Sequence, residues 1–295
     1  MSITRIEEAL RKAKEAKQAP SPVRQPVDRA PQAAISEPTN IPVSEPPVSP
    51  VVRPAVRPVV APPGISFRFD DGRIVNVPFS RLRKNRVITA GDKSRWVARF
   101  RDLQLAVQGS GLIKSRAPVV AVMSANPREG RTLCAINLAM SLAASGAEPV
   151  ILVDMDFFKP AIHAFLEIQP DAGLTDVLGG GKAIAEILVR AEAEKLILVP
   201  AGPRSRSHVA LLTRDNVRAV IGKLRSLFPS SALIVDLPPL SLNIDTSIFE
   251  GIVDHVVLVV EEGKTPREDV LRVLGKLKNV EHVDMVLNKA LESSI

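Results

Sequence analysis

The 295-residue sequence contains no tyrosine, one tryptophan and one cysteine, and aromatic residues make up only 3% of it. With Cys134 alone, an internal disulfide is excluded, which favours a reducing compartment. No apolar run approaches the roughly 20 residues that a membrane-spanning helix needs. The N-terminus also lacks the apolar core of a signal peptide. We therefore expect a soluble, cytoplasmic protein, and a hydrophobic content of 45% is typical of a globular domain.

Positive charge is concentrated in the first part of the chain. Residues 1–115 carry 20 lysines and arginines against 10 acidic residues, whereas residues 116–295 carry 19 against 22. A basic leader is attracted to an acidic membrane surface or an acidic partner, which predicts a position peripheral to the inner membrane. A solvated leader with no specific target fits the same charges. We expect no nucleic-acid binding, because aromatic residues that could stack on bases are nearly absent.

The first 18 residues are predicted to form an amphipathic docking helix. Thr4 and Glu7 have the spacing of a capping box. The apolar residues that follow fall on one face, namely Ile3, Ile6, Leu10 and Ala13. So short a helix is marginal alone in water, so its apolar face needs a partner. That partner is either another protein or the helix's own globular domain.

Proline dominates the next segment. Residues 19–64 form a predicted linker, since 13 of the 25 prolines lie between Pro20 and Pro63. This composition is typical of an extended or disordered spacer. Residues 65–94 are predicted to hold a small hairpin around Asp71-Gly72, followed by a basic segment. A helix is expected around 96–104.

From Ala117 onward, apolar strands alternate with amphipathic helices. Strands are predicted at 118–123, 149–153, 195–199, 232–236, 255–261 and 283–287. Helices are predicted at 132–145, 181–191, 214–227 and 265–278. This alternation predicts an α/β fold over residues 95–295, with a mostly parallel sheet covered by helices on both faces. Ligands bind such folds beyond the carboxyl ends of the strands.

The first of these strands is followed by a phosphate-binding loop of the Walker A type. Residues 124–132 read Ser-Ala-Asn-Pro-Arg-Glu-Gly-Arg-Thr, between an apolar strand and a helix. Backbone N–H groups at such a helix start bind phosphate oxygens. Arg131 stands where the motif has its essential lysine. The residues predicted to contact ATP are Ala125, Asn126, Pro127, Arg128, Glu129, Gly130, Arg131, Thr132 and Leu133.

Three carboxylates close two further strands. Asp154 and Asp156 follow one strand, and Asp236 ends another, in the Walker B position. Buried carboxylates are costly without a cation, and Mg²⁺ prefers oxygen ligands. The sequence therefore predicts Mg²⁺ bound by Asp154, Asp156, Asp236 and the Thr132 hydroxyl.

Together these motifs resemble the bacterial tyrosine kinases of capsule and exopolysaccharide biosynthesis. The similarity covers roughly residues 95–290 and includes Asp154-Met155-Asp156, Lys159-Pro160, Gly173–Leu178, Val199–Gly202, Asp236–Pro239 and Val286–Lys289. The resemblance implies a P-loop NTPase fold with Mg-ATP as cofactor. It also implies a membrane chain-length (co-polymerase) protein as partner and a homo-oligomer. Asp154 would act as catalytic base beside Arg131, and Asn288 would contact the nucleotide.

Departures from the family pattern affect catalysis. Arg128 replaces a glycine of the family loop, and Arg131 replaces its lysine. Arginine keeps the positive charge but not the compact ammonium group. The family phosphorylates its own tyrosines, and this sequence has none. Of the family's oligomerisation motif, Arg101 is kept, whereas Ala98 and Gln104 replace charged residues.

We therefore expect a regulator or pseudokinase of polysaccharide polymerisation and export. Two alternatives remain open at this point: an active kinase that phosphorylates other proteins, and a partition or cell-division ATPase. The latter class carries a signature lysine at the position of Asn126. A further hypothesis is that Arg128 and Arg131 neutralise the carboxylates in a nucleotide-free salt-bridge cluster.

Overall fold

The computed structural model describes residues 73–75, 79–89, 91–109, 117–191, 195–204, 207–242 and 245–290. The predicted docking helix at 1–18 and the proline-rich linker at 19–64 lie outside the described residues. So does the part of the predicted hairpin before residue 73.

An eight-stranded sheet forms the centre of the described part of the chain. Its strands are β1 Arg73–Val75, β2 Val119–Ser124, β3 Val150–Asp154, β4 Val189–Ala191, β5 Leu196–Val199, β6 Leu233–Asp236, β7 His255–Glu261 and β8 His282–Asn288. Their order across the sheet is β1-β4-β5-β3-β6-β2-β7-β8. All neighbours are parallel except β4 and β5. The mostly parallel α/β sheet predicted from the sequence is confirmed.

Helices cover both faces of this sheet. They are α1 Phe79–Lys84, α2 Arg95–Gly109, α3 Arg131–Ser145, α4 Ile162–Phe165, α5 Leu174–Leu178, α6 Arg214–Leu227 and α7 Arg267–Lys276. One apolar cluster joins α3 to one face, through residues such as Ile136 and Leu138. The other joins α6 to the opposite face, through residues such as Ile221 and Leu224. Alternate residues of each strand point into these two clusters, which explains why both faces are apolar.

None of the helices in the described residues is long and apolar enough to cross a membrane.

Two local predictions differ from the structure. The helix predicted at 181–191 is a single 3₁₀ turn, Ile184–Ile187, followed by β4. Ile184, Ile187 and Leu188 are buried, and one short turn satisfies their spacing as well as a long helix does. The second arm of the predicted hairpin, β1, pairs in parallel with β4.

The register of the central strands brings the predicted site together. β3 pairs with β6 so that Asp154 lies opposite Asp236, and β2 pairs with β6 so that Val122 also lies opposite Asp236. Because these strands are parallel, their carboxyl ends meet at one edge of the sheet. The loop after β2 therefore lies beside both acidic strand ends.

Candidate phosphate-loop site

The predicted phosphate loop connects β2 to α3, and α3 begins at Arg131. Gly130 has a φ of 94°, a left-handed conformation that favours glycine. A Cβ at this position would lie 2.0 Å from Nδ2 of Asn288. That amide donates a 2.7 Å hydrogen bond to the carbonyl of Glu129. Asn288, predicted as a nucleotide contact, thus holds the loop backbone.

Arg131 turns inward and binds two of the three carboxylates that were predicted to hold the metal. Its Nε donates to Oδ1 of Asp236 at 2.7 Å, and its Nη2 donates to Oδ2 of Asp156 at 2.6 Å. The arginine is 7% exposed. Burial acts to lower the pKa of Arg131, but the charges of Asp236 and Asp156 outweigh it, so the pKa is raised. The guanidinium therefore stays charged and serves as the cation of this site.

Asp236 is fully buried, and only one of its two carboxylate oxygens has a hydrogen-bond partner. Burial raises the pKa of Asp236, while the charge of Arg131 acts in the opposite direction. The Thr132 hydroxyl also acts to lower this pKa, although no donor has hydrogen-bonding geometry at Oδ2 of Asp236. A buried acceptor without a partner costs free energy. Thr132 and this oxygen are the part of the predicted metal site that Arg131 leaves open.

Asp154, predicted as base and metal ligand, binds backbone instead. Its Oδ1 accepts the Asp156 N–H at 3.1 Å. Its Oδ2 accepts the N–H groups of Ala161 and Ile162 at 3.2 and 3.3 Å. Burial, and next the charge of Asp236, raise the pKa of Asp154 well above its ordinary value. The carboxyl thus organises the start of α4 and strongly favours its neutral form.

As arranged, these residues do not fit Mg²⁺. No group of three or more His, Cys, Asp or Glu side chains in the described ranges is placed to hold a metal ion. The guanidinium of Arg131 takes one oxygen of Asp156 and one of Asp236, which are the ligands that a magnesium ion would need. The cation that balances the buried acids is supplied by the chain itself.

A second set of contacts fastens the loop from outside. The buried carboxylate of Glu129 accepts the Asn126 N–H at 3.0 Å and the Thr265 hydroxyl. The Asn126 side chain donates to Asp269 at 2.9 Å. Because the Asn126 N–H is bound by Glu129, it is not directed at a phosphate position. The contribution of Thr265 had no signal in the sequence pattern.

Arg128 takes no part in the carboxylate cluster. It is exposed, has a φ of 68°, and forms no ion pair with another residue of the described ranges. Its carbonyl accepts a 2.7 Å hydrogen bond from Nζ of Lys289, which also pairs with Glu261 at 2.9 Å. Of the two arginines considered from the sequence, Arg131 neutralises the acids and Arg128 does not.

The remaining predicted loop residues line the turn. Ala125 is buried, Pro127 is exposed and Leu133 is half-buried. Ser124, which the sequence analysis did not single out, donates to the carbonyl of Asn126 at 3.0 Å and lies 3.5 Å from Nη1 of Arg131. Its hydroxyl links the end of β2 to the bend of the loop.

Two further motifs, Gly173–Leu178 and Val199–Gly202, pack against each other and not against the loop. Leu174 and Thr175 donate their N–H groups to the carbonyls of Pro200 and Ala201 at 2.8 and 3.0 Å. A Cβ at Gly173 would lie 2.0 Å from the backbone N of Gly202. The glycines of these motifs therefore serve a close backbone contact.

Helix α2 carries the altered oligomerisation motif. Gln104 is buried and binds α3, donating to Oγ of Ser145 at 2.6 Å and accepting from Ser141 at 2.7 Å. Ala98 and Arg101 are exposed. The Gln104 position of the motif therefore forms contacts inside the domain.

The sequence was compared with protein families and with curated proteins. No family model matches the sequence. The chain is 32% identical over 174 residues to the tyrosine-protein kinase CpsD of Streptococcus pneumoniae, which covers 58% of this chain and 75% of that protein. The chain belongs to the bacterial tyrosine kinase family of exopolysaccharide biosynthesis. It is also 31% identical over 227 residues to the succinoglycan biosynthesis transport protein ExoP of Rhizobium meliloti. That match covers 75% of this chain but only 28% of the length of ExoP.

Solved structures share the fold. The kinase domain of the Escherichia coli tyrosine kinase Etk superposes with a TM-score of 0.63 at 20% identity, covering 75% of this chain and 83% of that one. The VpsO kinase domain superposes with a TM-score of 0.54 at 27% identity, covering 67% of this chain and all of that one. The P-loop fold inferred from the motifs is thus confirmed.

Proposed function

We propose that this protein is a catalytically impaired member of the bacterial tyrosine kinase family. In this role it regulates the polymerisation and export of an exopolysaccharide or capsule. The observation that carries the proposal is the buried ion-pair cluster in which Arg131 binds Asp156 and Asp236. An active site of this family type would use those carboxylates around Mg-ATP.

The charges of the cluster support this reading. One guanidinium binds two buried carboxylates, and a third buried carboxyl group, that of Asp154, lies near Asp236, so the site has no surplus of positive charge for a nucleotide. Phosphate groups add negative charge, and only a further cation would offset it. Arg131 would have to leave both carboxylates before a metal could enter. These 295 residues also contain no tyrosine that the protein could phosphorylate on itself.

The proposed partner is a membrane chain-length or co-polymerase protein. ExoP carries the matching region within a much longer transport protein, which supports a role beside a membrane component. The excess of positive charge in residues 1–115 would assist binding to an acidic membrane surface. Assembly of several copies belongs to the same proposal.

The decisive experiment is a calorimetric titration of the full chain with ATP and ADP, with and without Mg²⁺. We expect no magnesium-dependent binding at millimolar nucleotide. Saturable Mg-ATP binding by the natural chain would overturn the proposal and favour a kinase that acts on other proteins.

The matched control is the double variant Arg128→Gly with Arg131→Lys, which restores the family pattern of the loop. Gain of Mg-ATP binding by this variant would show that the fold is competent and that Arg131 is responsible for the loss. If the restored loop also fails to bind, the cause lies elsewhere in the site and the role assigned to Arg131 is wrong.

A further inference from the structure

Helices α2 and α3, with the segment just before α2, enclose a groove with a volume of about 350 Å³. Its walls are mainly apolar and are formed by Ile88, Val97, Leu105, Met140 and Ala144. Ligand pockets in proteins measure about 300–1,000 Å³ and are lined in the same way, by apolar side chains with a few polar groups. None of the residues that line this groove belongs to the phosphate-loop site.

The amide and hydroxyl side chains of the wall are bonded to each other. Gln104 donates to Oγ of Ser145 at 2.6 Å and to Gln108 at 3.2 Å, and it accepts from Ser141 at 2.7 Å. An extended peptide in the groove would find few partners for its backbone N–H and C=O groups, and unpaired backbone groups are costly. A hydrocarbon chain has no such groups to satisfy. The wall therefore favours a hydrocarbon chain over a peptide backbone.

Two donors of the wall remain unused. Thr89 is 7% exposed, and its hydroxyl has no hydrogen-bond partner among the described residues. Arg101 is exposed where it lines the groove, and its guanidinium forms no ion pair with another residue in the described part of the chain. Because both groups donate and one of them is a cation, they suit an anionic acceptor and not an amine.

The exposed side of α2 next to the groove is charged, since it carries Arg95, Arg99 and Asp102. The apolar face of a partner helix would cover these side chains, and burial of charged groups without partners is costly. A ligand that stays inside the groove leaves them in water. The surroundings of the groove therefore favour a small occupant.

We propose that this groove binds an aliphatic carboxylate, such as a free fatty acid. Its hydrocarbon chain lies between α2 and α3, and its carboxylate pairs with Arg101. A water molecule occupies about 30 Å³ in the liquid and a methylene group is of similar size, so the groove holds a chain of roughly ten carbon atoms. The assignment goes beyond the proposed function, because this ligand does not touch the phosphate loop.

Calorimetric titration of the full chain with decanoate, below its micelle concentration and without nucleotide, tests the ligand class. We expect saturable binding of decanoate. Decyltrimethylammonium has the same chain with a cationic head, and it should bind at least about tenfold more weakly because Arg101 repels it. Acetate has the acid group without the chain and should not bind measurably.

Variants of Arg101 test the contact with the acid group. Arg101→Gln should weaken decanoate binding by about tenfold or more, because a charge-assisted hydrogen bond is lost. It should also reduce the preference for decanoate over decyltrimethylammonium. The matched control is Arg99→Gln, on the same helix but outside the groove, which should bind decanoate as the natural chain does.

A second pair of variants tests the place of the hydrocarbon chain. Ala144→Phe puts a large side chain into the groove and should abolish decanoate binding. Ala106→Phe adds the same side chain at an exposed position of α2 that does not line the groove, and it should leave binding unchanged. Circular dichroism of each variant confirms that the fold is kept.

Several results would overturn the proposal. Absence of saturable binding at millimolar decanoate would leave the groove to an apolar segment of a protein, and equal binding of the cationic amphiphile would remove the role of Arg101. Losses that are as large in the two control variants as in the groove variants would place the ligand elsewhere. Binding to phosphatidylglycerol vesicles that Ala144→Phe abolishes, without decanoate binding, would assign the groove to a membrane lipid instead. These measurements need neither Mg²⁺ nor nucleotide, so they are independent of the proposed function.

Discussion

Arg131 Nε donates a 2.7 Å hydrogen bond to Asp236 Oδ1 and so joins the first residue of α3 to the last residue of β6. In a P-loop enzyme these two positions act on the phosphates and the metal. In this protein the two side chains bind each other. A buried ion pair adds little stability compared with apolar residues, but removal of one partner leaves an uncompensated charge. The contact is therefore a structural requirement.

Replacement of Arg131 by alanine should destabilise the protein by about 3–5 kcal/mol, because Asp156 and Asp236 would stay buried without their cation. Urea unfolding followed by circular dichroism measures the loss. The matched control is Arg128→Ala in the same loop, which should change stability by less than about 0.5 kcal/mol because Arg128 is exposed. Similar losses for the two variants would contradict the ion-pair cluster.

Asp154→Asn should alter the pH dependence of stability. The pKa of Asp154 is raised in the folded protein, so the folded state binds this proton more tightly than the unfolded chain. The stabilisation from this group is complete below the unfolded pKa of about 4 and is lost as the pH rises through the folded pKa. The variant has no such loss, so its stability relative to the natural chain should increase with rising pH.

Urea unfolding at a series of pH values from about 4 to about 7 measures this slope. If the amide introduced by Asp154→Asn forms fewer hydrogen bonds than the carboxyl group, the variant's stability falls equally at every pH, and the difference in slope remains. The exposed Asp102→Asn, on α2, serves as control and should run parallel to the natural chain. A constant difference between Asp154→Asn and the natural chain would show that the carboxyl is not perturbed.

Gly130→Ala should cost about 1–3 kcal/mol, because its φ of 94° strains any side chain and the new Cβ meets Asn288. Asn288→Ala alone should cost about 1 kcal/mol for the lost hydrogen bond to Glu129. The double variant should cost less than the sum, since removal of the amide relieves the clash. A double-mutant cycle by chemical unfolding gives the coupling energy, and strict additivity would argue against this contact.

Cys134 should resist thiol reagents in the folded protein. Burial is the main cause that raises the pKa of this thiol, to about 12, so almost no thiolate is present at neutral pH. Labelling with Ellman's reagent should be slow in buffer and fast in urea. Leu105→Cys provides an exposed thiol as the positive control. Rapid labelling of the natural chain in buffer would show that α3 opens readily.

The long elements of the fold could be predicted from the sequence, because apolar periodicity records burial directly. Helix α6 was predicted at 214–227, which are its observed bounds, and β7 was predicted at 255–261 with the same result. The short strand β4 and the pairing of β1 with it could not be predicted. A three-residue strand carries too few residues to show a period, and its place depends on a partner far along the chain.

The sequence identified which residues come together at the site but not how they are arranged. Strand ends and loop spacing identified Arg131, Asp154, Asp156 and Asp236, and register in the sheet brings them together. Which carboxylate Arg131 binds is set by side-chain direction and by competition with backbone N–H groups at Asp154. The sequence pattern records neither the direction of a side chain nor this competition. Glu129 stays a predicted nucleotide contact, and its carboxylate accepts the hydroxyl of Thr265, a residue that no motif marked.

The hydrogen bond from Asn288 to Glu129 joins residues that are 159 positions apart in the chain. At ribosomal rates of about 5–20 residues per second, the loop is made roughly 8 to 30 s before the strand that clasps it. During that interval the loop around Gly130 and Arg128 lacks the hydrogen bonds from Asn288 and Lys289. The nascent loop is therefore less constrained than the loop of the completed protein.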